Sequence, residues 1–200
     1  MNKAKRIFDL CLVIGSSPAW VAVCIVVSVL VALKMGRPIL FRQRRAGQAG
    51  EAFQLIKFRT MTSEIDENGQ LLPDEARLTR FGKWLRATSL DEFPEFINVL
   101  RGQMSLVGPR PLHLSYNNRY TAEQRRRLSV APGLTGWAQI KGRNNVSWNE
   151  RFVLDVWYVD NQSLLLDLKI LFLTVFKVLN RDGIRSDTSE TMEEFMGTEK

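Results

Sequence analysis

Histidine and cysteine are scarce in this sequence, which holds one histidine and two cysteines among 200 residues. A disulfide scaffold or a cysteine-rich zinc module needs more thiols than Cys11 and Cys24 provide. The single histidine, His113, argues against a histidine-based metal site and against a Ser-His triad. The sequence also lacks a P-loop and a dinucleotide-binding glycine motif. Any bound phosphate would therefore be held by cationic side chains and helix ends.

The remaining composition is that of an ordinary folded protein, with 45% hydrophobic and 24% charged residues. This balance excludes a disordered chain, and the charge content argues against several membrane spans. The length suits one domain, or one domain with an appendage. The formal net charge of +7 indicates anionic partners, such as phosphates, anionic lipid or nucleic acid.

Charge is absent from one long stretch, the apolar run from Cys11 to Leu33. This run is long enough to cross a bilayer as a helix. Pro18 interrupts it and cannot donate a hydrogen bond to the carbonyl of Ile14, so we expect a kink at Ser17-Pro18. The hydroxyl of Ser17 is expected to reach back to the carbonyl of Ile14 or of the residue before it, which makes such a break tolerable in lipid.

Basic residues flank the apolar run on both sides, at Lys3, Lys5 and Arg6 before it and at Lys34, Arg37, Arg42, Arg44 and Arg45 after it. Basic flanks are retained in the cytoplasm, so this pattern favours a re-entrant hairpin within residues 1–36. A kinked helix that spans the membrane once, with its short N-terminus outside, is the alternative. The residues by themselves leave both topologies open.

The rest of the chain, residues 37–200, is long enough for one catalytic domain. We expect this domain to be of the α/β class, mostly helical with a small β-hairpin or sheet. The expected elements are strands over 39–43 and 53–61, a basic helix over 76–87, capping boxes at 121–124 and 147–150, and a final apolar helix over 164–179. That last helix belongs either to the core or to the membrane interface.

The densest polar cluster surrounds an Asp-Glu pair, Asp91-Glu92. Ser89 and Glu92 fit a capping box, whereas Pro94 favours a helix that starts at Asp91. Either way Asp91 lies at a helix N-terminus, which keeps a carboxylate ionised. Such an aspartate can cap a helix, bind a metal ion or attack phosphorus, and its position alone does not choose among these roles.

Candidate phosphate ligands lie in several other segments. Arg110 stands between two prolines, so a stiff loop presents its guanidinium with little ordering entropy left to lose. Weaker candidates are Lys57, Arg59, Arg86, Arg143 and Asn144. Asp155 and Asp167 lie on otherwise apolar helical stripes, where an acid is costly without a partner. Either acid could orient cations of a site or be structural, and Arg151 is the nearest partner for Asp155.

These motifs together resemble the bacterial sugar transferases, the family of monotopic phosphoglycosyl transferases that start glycan assembly on polyprenyl phosphate. The similarity covers nearly the whole chain and follows the family's order. Its pieces are KRIFDL at 5–10, Ser17-Pro18, LIKFRTM at 55–61, RLTRFGKWLR at 77–86, SLDE at 89–92, NVLRGQMSLVGPRP at 98–111, PGLTGWAQIKGRN at 132–144 and LDLKI at 166–170. The chain is most similar to the small members that transfer phospho-diacetylbacillosamine to initiate bacterial protein N-glycosylation.

The resemblance implies a mechanism and a set of site residues. A sugar 1-phosphate would move from a UDP-sugar to undecaprenyl phosphate through a covalent intermediate, with release of UMP. Asp91 would be the nucleophile, Glu92 its dyad partner assisting the acceptor, and Mg²⁺ the cofactor, with Asp91 as a ligand. Phosphate would be held by Arg110 and, less specifically, by Lys57, Arg59, Arg86, Arg143 and Asn144.

The resemblance also implies a cellular setting. It favours the re-entrant Ser17-Pro18 helix over the single span, and it adds interfacial amphipathic helices. The protein would lie on the cytoplasmic face of the bacterial inner membrane and contact its lipids, and a homodimer is compatible with the family.

Two other functions compete with this one. A membrane-anchored basic module could bind anionic lipid or nucleic acid, although the cations here accompany an Asp-Glu pair and proline-rigid loops rather than aromatic platforms, so we expect no nucleic-acid partner. A glycosyl transferase that releases UDP is the second rival.

Overall fold

The computed structural model describes residues 2–142, 147–180 and 194–197. Helix dominates these residues, in agreement with the expected α/β class. The helices are α1 (Lys3–Gly15), α2 (Ser17–Met35), α3 (Asp74–Arg77), α4 (Arg80–Ala87), α5 (Glu95–Leu100), α6 (Ala122–Arg125), α7 (Trp137–Lys141), α8 (Trp148–Asp160) and α9 (Leu164–Asn180). Short 3-10 turns cover Gln48–Gly50, Leu90–Glu92, Leu114–Asn118 and Arg126–Ser129.

Two small sheets accompany the helices. The expected hairpin is confirmed, with β1 (Leu40–Ala46) antiparallel to β2 (Ala52–Phe58). The second sheet pairs β3 (Ser105–Val107) in parallel with β4 (Gly133–Thr135). Because β2 contacts α5 and β3 contacts both α5 and α9, the two sheets surround one core. The buried side chains of this core include Val99, Met104 and Ile170.

Local sequence signals explain several helix ends. Both predicted capping boxes form, at 121–124 and at 147–150. The single helix expected over 76–87 is wrong, because the chain breaks between α3 and α4. Leu78 pairs there with Met61 as an isolated bridge, and the Thr79 hydroxyl accepts a hydrogen bond from Gly82 N at 2.9 Å, which caps α4. A tertiary backbone pairing therefore overrides the helical pattern.

The apolar N-terminal run breaks into two helices at Ser16. Ser16 Oγ donates to the carbonyl of Leu12 at 2.7 Å, so the hydroxyl that reaches back belongs to Ser16 and not, as expected, to Ser17. Pro18 lies in the first turn of α2, where its missing N–H costs no hydrogen bond. The proline thus begins a new helix, which is a milder disturbance than a kink inside one.

Both ends of this segment attach to the same domain. On α1, the Lys5 ammonium pairs with Asp167 of α9 at 2.5 Å, and Asp9 accepts from Ser105 Oγ of β3 at 2.7 Å. On α2, Val27 and Val31 are buried in a cluster with side chains of β2 and α4. The segment therefore leaves the domain along α1 and returns to it along α2.

Much apolar surface stays uncovered on the outer helices. α2 is long and apolar enough to cross a membrane by length and composition. Its Leu33 is 78% exposed, and on α9 Leu165 and Phe172 are 79% and 70% exposed. The opposite face of α9 is buried at Asp167 and Ile170, so this helix is amphipathic and contributes to the core with one face only.

Residues near the C-terminus dock onto the domain. Phe195 is buried in an aromatic cluster that includes Tyr116, Tyr120 and Phe152. Arg119 fixes the segment by pairing with Glu194 at 2.7 Å and by donating to the carbonyl of Phe195.

Candidate active site

The Asp-Glu pair lies on a tight turn between α4 and α5. Ser89 opens this turn in the left-handed conformation, with φ of 54°, and its side chain caps nothing. Both alternatives for the helix start are therefore wrong: Ser89 and Glu92 form no capping box, and α5 begins at Glu95 rather than at Asp91. Asp91 and Glu92 occupy the 3-10 turn, and Pro94 stands directly before the first residue of α5. A non-glycine residue at positive φ is strained, which is typical of functional turns.

Three carboxyl groups meet two cations at this turn. Lys57 Nζ, from β2, contacts Glu92 Oε1 at 2.6 Å and Glu95 Oε1 at 3.1 Å. Arg110 Nη2, from the loop after β3, contacts the same Glu92 oxygen at 2.7 Å. Asp91 is only 7% exposed, yet no described residue hydrogen-bonds to or ion-pairs with its carboxylate. The site therefore places Glu92, which two cations hold, beside Asp91, which has no such partner among the described residues.

The electrostatics separate the two members of the pair. Burial, reinforced by the negative charge of Glu92, raises the pKa of Asp91 to about 6. Burial also opposes ionisation of Glu92, but the charges of Arg110 and Lys57 outweigh it and hold the pKa of Glu92 well below its usual value. At neutral pH both groups are ionised, and Asp91 is the more basic carboxylate of the two.

Glu95 is a site residue that the sequence did not reveal. It is 2% exposed, and burial together with the charge of Glu92 raises its pKa to about 7. Its ion pair with Lys57 places it at the back of the site, one turn of chain from the dyad. The three-residue spacing from Glu92 was the available signal, since residues at that spacing face the same side of a helical turn.

The loop at residues 108–111, which carries Arg110 and is called the arginine loop, begins at a tightly packed glycine. A side chain at Gly108 would place its Cβ 2.4 Å from the carbonyl oxygen of Ala131, and one at Gly133 would lie 2.0 Å from the amide nitrogen of Gly108. Only glycine permits this approach of β3 to β4. The loop that carries Arg110 thus leaves the parallel sheet at a fixed point.

A buried ion pair holds the same loop from behind. Arg127 donates to the carbonyl of Arg110 at 2.7 Å and pairs with Asp155 at 2.8 Å, with both charged side chains 2% exposed. The predicted pairing of Asp155 with Arg151 is therefore wrong. The segment 126–129 brings Arg127 to α8 across a long sequence separation, which helical spacing could not reveal.

The other predicted site residues divide into four groups. Arg86 donates to Thr60 Oγ1 at 3.1 Å, and its charge lowers the pKa of Asp91, so it lies within electrostatic reach of the dyad. Arg59 instead donates to the carbonyls of Gly36 and Arg37 at 3.2 Å, so its guanidinium closes the end of α2. The other two groups are Asp167, which binds Lys5 on α1, and Arg143 with Asn144, which lie outside the described residues.

The donor set limits how a metal ion could be held. Within the described ranges, no group of three or more His, Cys, Asp and Glu side chains could hold a metal ion. Magnesium, however, often binds through one or two carboxylates together with substrate phosphates and water. The unpartnered carboxylate of Asp91 suits that mode, whereas Glu92 is already engaged by two cations.

Comparison with known proteins identifies the family. The model of the family described as bacterial sugar transferase matches residues 1–181. The chain belongs to the bacterial sugar transferase family. A relative from Bacillus subtilis (strain 168), named "Uncharacterized sugar transferase EpsL", is 52% identical over 194 residues, which cover 97% of this chain and 96% of that protein.

Two further bacterial sugar transferases carry more specific names. A Caulobacter vibrioides protein named "UDP-glucose:undecaprenyl-phosphate glucose-1-phosphate transferase" is 37% identical, over 90% of this chain and 71% of its own length. A Klebsiella pneumoniae protein of the same name is 45% identical, over 70% of this chain but only 32% of its own length. The family assignment made from the sequence motifs is thus confirmed.

Proposed function

We propose that this bacterial sugar transferase moves a sugar 1-phosphate from a UDP-sugar to undecaprenyl phosphate and releases UMP. The names of the Klebsiella and Caulobacter relatives support this reaction class. The observation that carries the proposal is the contrast at the dyad. Asp91 is buried and unpartnered, whereas Glu92 is clamped by Lys57 and Arg110.

Two displacements at one phosphorus account for the transfer. A carboxylate oxygen of Asp91 attacks the β-phosphorus of the UDP-sugar, and the bond from that phosphorus to the bridging oxygen breaks, so UMP leaves with the electron pair. A phosphate oxygen of the lipid carrier then attacks the same phosphorus and displaces Asp91 as a free carboxylate. Covalent catalysis of this kind divides one difficult transfer into two easier steps.

The neighbouring residues would support both displacements electrostatically. Lys57 and Arg110 present positive charge beside the attacking carboxylate, where phosphate oxygens gather charge in the transition state. The low pKa of Glu92 makes it a weak base, so its contacts support a role in fixing these two cations as the acceptor enters. Asp91 would hold Mg²⁺, and the metal ion would supply positive charge that offsets the charge of the phosphates.

The lipid acceptor determines where the enzyme should sit. Its phosphate lies at the membrane surface, and we propose that residues 1–36 enter the bilayer and return on the cytoplasmic face. The attachment of both α1 and α2 to one domain supports this topology, as do the exposed apolar faces of α2 and α9.

Labelling in intact cells tests this topology. With Cys11 and Cys24 replaced by serine, a cysteine at Asn2 and another at Arg44 should both resist a membrane-impermeant maleimide and react only after permeabilisation. A cysteine engineered into a periplasmic loop of a second membrane protein is the positive control. Labelling of the Asn2 position from outside would refute the hairpin and support the single span.

The nucleotide product tests the reaction. The full chain in detergent micelles, with undecaprenyl phosphate, should release UMP in step with lipid product from at least one sugar of a panel. The panel contains UDP-glucose, UDP-galactose, UDP-N-acetylglucosamine and UDP-N,N'-diacetylbacillosamine, and the resemblance favours the last or a similar N-acetylated amino sugar. Release of UDP would instead establish a glycosyl transferase. Salt-dependent nucleic-acid binding without turnover would favour the basic module.

A further inference from the structure

Arg45 lies beside the arginine loop that carries Arg110, and among the described residues it has no acidic partner. Its backbone bridges to His113, and the amide of the next residue donates to the carbonyl of Leu112 at 3.0 Å, just after the Pro-Arg-Pro sequence. In the hairpin register, Arg45 faces Phe53 and Phe41 faces Lys57, so Arg45 and Lys57 share one face. The guanidinium donates to Gln43 Oε1 at 2.6 and 3.0 Å, and no described acid pairs with it.

Arg151 lies on α8, the helix whose Asp155 anchors the same loop through Arg127. It lies one helical turn before Asp155, but both contacts of Asp155 Oδ2 go to Arg127, at 2.8 and 3.0 Å. Arg127 in turn holds the carbonyl of Arg110. Arg151 itself stacks over the Trp148 ring at 5.3 Å, and among residues 2–142, 147–180 and 194–197 it has no ion pair.

Arg45 and Arg151 each lie within electrostatic reach of Arg110. Burial and then the charge of Arg110 lower the pKa of Arg45 to about 10, and the same two causes lower the pKa of Arg151. Glu92 is the only acid that ion-pairs with any of the three among the described residues. Half-buried like charges from three elements repel unless an anion lies between them.

We propose that Arg45 and Arg151 form, with Arg110, a second phosphate subsite beside the Asp91 dyad. Its ligand is a phosphate group other than the one under attack, either the α-phosphate of the UDP-sugar or the phosphate of the lipid carrier. Guanidinium groups suit this role because they donate in pairs to phosphate oxygens. The assignment rests on the proposed transfer reaction, in which each half-reaction brings a second phosphate to the site.

Kinetics of Arg45→Gln and Arg151→Gln test the subsite. Each variant should raise KM about tenfold for one phosphate substrate, with a smaller change in kcat, since a charge-assisted hydrogen bond contributes at least that much. A rise for the UDP-sugar identifies the α-phosphate, and a rise for undecaprenyl phosphate identifies the lipid phosphate. Arg44→Gln and Arg125→Gln, both at exposed arginines, are the matched controls and should stay within twofold.

Thermal shift separates binding from a structural role and from the transfer reaction itself. Without ligand, Arg45→Gln and Arg151→Gln should keep or raise Tm, because repulsion is relieved, and they should lose the Tm increase that UMP or inorganic phosphate gives the wild type. Arg45→Lys should restore part of that increase. A lower Tm with unchanged phosphate response and unchanged KM would overturn the subsite. This readout needs no turnover, so failure of the transfer reaction would be visible separately.

Discussion

Asp91→Asn is expected to reduce sugar-phosphate transfer by roughly a thousandfold or more, since an amide cannot attack phosphorus or leave as a carboxylate. Wild-type enzyme quenched with UDP-sugar alone should carry a phosphosugar mass adduct that the variant lacks. The side chain keeps its shape and loses no described partner, so the fold should be unaffected. Full turnover by purified Asp91→Asn would remove Asp91 from the nucleophile's role.

The same substitution should stabilise the protein at neutral pH. The pKa of Asp91 is raised to about 6 in the folded state, so the folded protein binds a proton at Asp91 more tightly than the unfolded chain does. The free energy of unfolding therefore falls as pH rises from about 4 to 6. Asn should restore on the order of 2 kcal/mol at pH 7 and nothing below pH 4. Glu92→Gln is the control, since it removes the ion pairs with Lys57 and Arg110 and should destabilise instead. Equal effects of the two variants would contradict this separation.

Arg127→Met is expected to cost about 3 to 5 kcal/mol of unfolding free energy, because it strands the Asp155 carboxylate in the core. Burial raises the pKa of Asp155, and the charge of Arg127 opposes this shift more strongly than the charge of Arg151 does. Thermal or denaturant unfolding of the full chain in detergent measures the loss. Replacing Asp155 by Leu in the same chain should recover most of the stability, since the uncompensated charge is gone.

Activity should not recover with stability in that double variant. Arg127 also holds the carbonyl of Arg110, and no replacement side chain restores this bond. Arg126→Met is the matched control, because Arg126 and its acidic partners Glu123 and Asp160 are at the surface, where ion pairs contribute less than about 1 kcal/mol. If Arg126→Met destabilises the protein as much as Arg127→Met does, the burial of the Arg127–Asp155 pair is not the cause of the loss of stability.

Local patterns predicted those features that depend on nearby residues. The hairpin, the two capping boxes and the final helix follow from alternation, side-chain hydroxyls and apolar spacing within a few positions. The dyad and Arg110 were found because unusual local chemistry marked them, namely adjacent acids and flanking prolines. The sequence could thus name these residues as candidates, and the structure brings Arg110 into contact with Glu92.

Features that depend on contacts between distant residues could not be predicted from the sequence. Asp155 pairs with Arg127 and not with Arg151, because the turn at 126–129 packs against α8. Helical periodicity carries no information about such a long-range contact. Arg59 follows Lys57 along the chain but turns to the end of α2, since β2 has already ended at Phe58. Side-chain direction at a strand end is set by tertiary packing, which is why a chemically suitable arginine was assigned to the wrong place.

The ion pair of Lys5 with Asp167 has a consequence for the order of biosynthesis. Its partners are 162 positions apart, so a ribosome delivers the N-terminal helices long before the acid that anchors them. During that interval Asp167 is not yet available to Lys5, and the acid within its electrostatic reach is Asp9, one helical turn along α1. Synthesis therefore delivers α1 and α2 first, and the later arrival of α9 supplies the acid that pairs with Lys5 and attaches α1 to the domain.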